Sequence, residues 1–221
     1  MKKTVLQLLG LVTALGLVIA VTAPALAGQG IHIKGQAKGY GAQAAWNFYD
    51  EVLGIQTDVR INFDDNFERN PPDSPVAGQF ANISISQYYT DPDGLNYVPI
   101  RDIYFYGEVP PGAIAIGRTL NSASLVLSGV IGEQFDYDSM ETSDITIDID
   151  VSWSATSPIS MDHWNTHMHY INGFAFYRYH GKSRDAATAG QITFGDTSIA
   201  LGSAYWASVY YAKTGEVHVS R

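Results

Sequence analysis

No cysteine occurs in the 221 residues. That excludes disulfide bridges, thiol catalysis and a lipid anchor on an N-terminal cysteine. Basic residues are also scarce, 13 Lys+Arg against 22 Asp+Glu, so a purely electrostatic nucleic-acid binder is excluded because counterion release needs a basic surface. No P-loop or Rossmann glycine pattern is present, no G-x-S-x-G elbow occurs, and the serines are scattered without a local sign of activation. Helical periodicity is almost missing after Gly28, as is any second apolar run long enough to span a bilayer. Disorder is excluded in turn, since 46% of the residues are hydrophobic.

What is present begins with an export signal. Lys2 and Lys3 precede an apolar stretch from Val5 to Val21, and Ala25-Leu26-Ala27 offers small residues where a signal peptidase reads. Cleavage after Ala27 is expected, with a soluble product of 194 residues carrying 11 basic and 22 acidic side chains, a formal charge of −11. Residues 28–221 are expected to form one domain. Export without disulfides fits a prokaryotic envelope, so the expected location is secreted, periplasmic or cell-surface.

Two-residue alternation recurs along the rest of the chain. Ile145, Ile147, Ile149, Val151 and Trp153 share one face of an extended segment while Thr146, Asp148, Asp150 and Ser152 share the other. Thr57–Phe63, Phe80–Tyr88 and Glu216–Arg221 alternate likewise, and further strands are expected at Ile31–Lys34, Ala42–Tyr49, Arg101–Tyr106, Ala113–Ile116, Ala123–Val130, Gly173–Tyr179, Ala186–Phe194 and Tyr205–Tyr211. Turn signals stand at Asp91-Pro92-Asp93-Gly94, Pro110-Pro111-Gly112, Gly181-Lys182-Ser183 and Lys213-Thr214-Gly215. Asp64–Gly78, with three prolines, reads as a surface loop. About a dozen short strands with no room for crossover helices predict an all-β fold: an antiparallel two-sheet β-sandwich of jelly-roll or Ig-like type, with a barrel as the alternative.

The segment Met161-Asp162-His163-Trp164-Asn165-Thr166-His167-Met168-His169-Tyr170 gathers three of the six histidines. If extended, it sends His163, His167 and His169 to one face. An H-x-H pair plus a third histidine can hold zinc or copper with an open position for water. However, His163 and His169 are about 20 Å apart along a straight strand, so one ion could touch both only if the chain bent near Asn165. Trp164 stands where a zincin helix needs its glutamate, and Tyr170-Ile171-Asn172-Gly173 lacks the carboxylate of a cupin. The other reading is a polar and aromatic surface stripe. Asp91-Pro92-Asp93-Gly94 opens like a calcium loop, but no glutamate follows at the required distance, so a turn fits better. Asp64-Asp65, Asp136-Tyr137-Asp138 and the pair Asp148 and Asp150 are acidic clusters, for which ordinary solvation suffices.

All 27 aromatic residues lie after Gly28. Trp164, Tyr177 and Tyr179 are candidates for a binding surface, able to stack on a sugar or on a neighbouring subunit, or simply to pair across strands. Together these features predict an exported, non-enzymatic binding or assembly module whose partner is a protein or carbohydrate, with self-association as a further option. The alternative is a metal-binding protein or metal-dependent enzyme built on His163, His167 and His169. No catalytic residue is identified.

Overall fold

The computed structural model describes residues 32–69, 76–90, 97–170 and 173–220. The alternation becomes eleven strands: β1 (His32–Asp50), β2 (Ile55–Arg69), β3 (Val76–Thr90), β4 (Tyr97–Glu108), β5 (Ile114–Ile116), β6 (Ser122–Asp136), β7 (Glu141–Ala155), β8 (Ser160–Tyr170), β9 (Gly173–Phe194), β10 (Thr197–Leu201) and β11 (Trp206–Ser220). No helix occurs among the described residues, and therefore none long and apolar enough to cross a membrane. Every strand pairing is antiparallel.

Pairing runs β1-β2-β3-β4-β6-β7-β9-β11 and returns to β1, while β5, β8 and β10 are added at the margins. The circuit is uneven. β4 joins β6 over only Arg101–Tyr104, and the opposing walls are drawn together into a sandwich-like section rather than a round barrel. Trp153 of β7 crosses the interior, donating its indole N–H to the Gln43 carbonyl of β1 at 3.1 Å. Its ring lies 6.4 Å from Trp46 and 5.0 Å from Phe63. Around it are the residues that alternation places inside: Val59 and Ile61 of β2, Ala81, Ile83 and Ile85 of β3, and Ile147, Ile149 and Val151 of β7, all buried. Each large aliphatic side chain removed from water this way contributes about 1.5–3 kcal/mol.

One end of the interior is closed by polar side chains. Arg101, in series with Ile103, donates to Gln87 Oε1 at 2.6 Å, Gln134 Oε1 at 3.3 Å and Thr197 Oγ1 at 3.5 Å, and lies 5.4 Å from the Phe194 ring centroid. At the other end β8, β9, β11, β1, β2 and β3 run on past the core as a projecting sheet.

That projection corrects several expectations. Gly181-Lys182-Ser183 and Lys213-Thr214-Gly215 are not turns but interior stretches of β9 and β11: the first pairs with Tyr210–Ala212 and the second with Arg178–His180, in one unbroken register. Expected strands on either side of them therefore merge. The loop expected at Asp64–Gly78 is mostly strand, since β2 continues to Arg69 and Asp64–Glu68 pairs with Val76–Phe80. Ladder hydrogen bonds satisfy the backbone on both sides of these segments and override local turn preference. Pro110-Pro111-Gly112 does form a turn, with Ala113 N donating to Pro110 O at 3.0 Å. The leader and its cleavage site, Asn70–Pro75 and Asp91-Pro92-Asp93-Gly94 lie outside the described residues.

Candidate binding face

β8 is extended, so His163, His167 and His169 do share a face. Register then fixes what else joins them. His163 is directly opposite His180, Asn165 opposite Arg178, His167 opposite Phe176 and His169 opposite Phe174. The next strand sets Lys213 opposite His180 and Gly215 opposite Arg178, and β1 adds Lys38 opposite Lys213 and Gln36 opposite Gly215. Tyr40 and Tyr211, whose rings are 4.8 Å apart, continue these rows to buried Ala42 and Val209. This face is therefore the outward continuation of the core wall, left uncovered where the opposing wall ends.

Its composition departs from that of the chain. Lys38, Arg178, Lys182, Arg184 and Lys213 all occupy this series, together with His163, His167, His169 and His180. Among the described residues of β8, β9, β11 and β1 on this shelf, no carboxylate shares the face. The nearest in the same series is Asp65, opposite Tyr40 on β2, whereas Asp162, Asp185 and Glu216 belong to the reverse face. A depression of about 800 Å³ lies here, lined by Gln36, Phe176, Arg178, His180, Lys213 and Gly215, with Glu216 also on its boundary. Open space above Gly215, where no atom comes within 4 Å of where a Cβ would stand, keeps its floor low. Arg178 lies 5.7 Å from the Phe176 ring centroid, with the His167 ring 4.8 Å from that centroid and His169 6.4 Å from Phe174. Cations stand beside flat ring surfaces. Arg184 is committed, donating to the Ser157 carbonyl at 2.6 Å and to Asn121.

The three β8 histidines do not converge within one chain. β8 keeps unbroken register with β9 through Asn165, so it lacks the bend that their spacing requires, and among the described residues no group of three His, Asp or Glu side chains is placed to hold a metal ion.

Trp164, Tyr177 and Tyr179 lie on the reverse face. Trp164 stacks on Tyr179 with centroids 5.7 Å apart and planes at 14°, and Tyr177 is opposite Thr166. Tyr179 folds over Gly181, where a Cβ would collide with its ring. Burial and the nearby Asp162 carboxylate push its hydroxyl pKa up. Farther along, Tyr210 lies over Gly41 and donates to Asp64, with Asn62 Oδ1 3.1 Å from its hydroxyl. Burial raises the Asp64 pKa above its ordinary 3.8, and the Tyr210 hydrogen bond offsets that only in part.

The other acidic clusters have local structural partners. Asp148 Oδ1 accepts from Ser128 Oγ at 3.0 Å and Gly129 N at 2.8 Å, holding the β6 bulge where register shifts between Leu127 and Val130. Asp136 Oδ1 accepts from Asp138 N, Ser139 N and Ser139 Oγ at 2.9–3.1 Å in the β6–β7 turn, which depresses its pKa.

Comparison with protein-family models, curated proteins and solved structures finds no match to this chain.

Proposed function

We propose that this protein is an exported binding module, without catalytic activity, for an acidic polysaccharide of the cell envelope or its surroundings. One observation carries the reading: a protein with twice as many acidic as basic side chains after its leader gathers cations, imidazoles and aromatic rings on a carboxylate-free shelf. Such segregation supplies a local field opposite in sign to the rest of the molecule, which steers and orients an anionic partner. Phe174 and Phe176 supply apolar ring surface against which sugar C–H groups can pack, beside Arg178 and Lys213, which can pair with carboxylate, sulfate or phosphate groups. The shelf is open along the strands, a shape suited to a chain rather than to an enclosed small molecule.

The test is a binding titration of the mature protein with polygalacturonate and, as controls, neutral dextran and an acidic polypeptide. Polygalacturonate should bind and dextran should not, with affinity falling as salt rises. Reversing two charges, Arg178→Glu with Lys213→Glu, should weaken binding at least about tenfold, since each exposed charge contact contributes up to about 1 kcal/mol. Equal binding by this variant, or preference for the acidic polypeptide, would reject the reading.

A further inference from the structure

We propose that β8 is the contact edge between two copies of this chain, and that a transition metal of the zinc or copper type bridges it. The ligands are His163 and His180 of one copy with His167 and His169 of the other. This inference does not depend on the polysaccharide reading.

Among the described residues β8 pairs only with β9, leaving its second edge without a strand. Sheet proteins usually blunt such an edge with lysine, proline or a bulge. β8 has none of the three: its register with β9 is unbroken over eleven residues and its only Lys, Arg, Asp or Glu is Asp162. Residues 160–169 are exposed on both faces. Two copies meeting edge to edge about a two-fold axis normal to the sheet pair in antiparallel fashion, and the histidine face of one becomes continuous with that of the other.

The histidine spacing then acquires a purpose that a single chain cannot give it. With the axis at Asn165, His163 falls opposite His167 of the second copy and diagonal to His169; with the axis at Thr166 the two exchange places. Opposite Cβ atoms on adjacent strands are about 5 Å apart and diagonal ones about 7–8 Å. On the other side His163 is already opposite His180 of its own chain. Strand reversal thus gathers four imidazoles that one straight strand keeps apart, a nitrogen set suited to zinc or copper. Symmetry makes two such sites per dimer. With the axis at Asn165, Asp162 falls opposite Met168 rather than its own twin, so no carboxylates are forced together.

The experiment measures the molar mass of the mature protein by light scattering during zinc titration and after a chelator. Zinc should double the mass at one equivalent per chain, and the chelator should reverse it. Neither the double variant His163→Ala with His180→Ala nor the double variant His167→Ala with His169→Ala should dimerise with zinc. A 1:1 mixture of the two should, because one of its two sites keeps every ligand, and should retain half the zinc. These side chains are exposed, so circular dichroism should show each variant folded. Zinc bound by a monomer, no change in mass, or a mixture no better than its components would overturn the proposal.

Discussion

Tyr210 and Asp64 show how a single contact can set a pH dependence. Tyr210 lies flat over Gly41 because that position has no Cβ; with alanine there, the new methyl would sit about 2.5 Å from Asp64 Oδ1 and overlap the tyrosine ring. Gly41→Ala should therefore lower the melting temperature, checked by thermal denaturation. The Asp64 carboxyl is raised above 3.8 by burial, so the folded chain holds this proton more tightly than the unfolded one. Its contribution to stability is complete below pH 3.8 and is lost as pH rises through the raised value. Asp64→Asn keeps an acceptor for Tyr210 without the buried charge. It should raise the melting temperature by a few degrees at pH 7, with the gain vanishing below pH 3.8; a lower melting temperature at pH 7 would contradict this. At the far end, Arg101→Ala would strip partners from Gln87 and Gln134 and should cost about 1–3 kcal/mol in denaturant unfolding.

Among the elements, β7 was the most legible, because a strand with one face in the core displays both faces in its residue pattern. Ile147, Ile149, Val151 and Trp153 are buried where alternation places them. β9 was much less so. Its first half projects beyond the core, where neither face is fully covered, and Gly181-Lys182-Ser183 then imitates a turn. Reading a turn there also hid the series Arg178, His180, Lys182 and Arg184, whose two-residue spacing is the cationic half of the shelf. The signal was present in the sequence, but only pairing with β11 and β8 distinguishes it from a polar hairpin. β8 gave the shared direction of its three histidines from parity alone, while their neighbours required register. Amide exchange tests this assignment: Lys182 and Ser183 should be protected like the rest of β9, whereas a turn at Gly181 would leave them exchanging fast.

At the scale of the whole molecule, the deficit of basic residues takes on a different meaning. Composition alone describes an acidic surface, and no single stretch of sequence reveals that Lys38, Arg178 and Lys213, which come from three separate strands, share one face. Register creates the segregation, through antiparallel pairings that bring residue 38 beside 213 and 213 beside 180. The leader, read from residues 1–27, places this surface outside the cytoplasm in our proposal. The most direct test is a map of amide shifts in isotopically labelled mature protein titrated with oligogalacturonate. We predict that the changes concentrate at residues 36–40, 174–182 and 213–217. Changes centred instead on Trp164, Thr166 and Tyr210 of the reverse face, or none at all, would contradict the assignment of the shelf as the binding face.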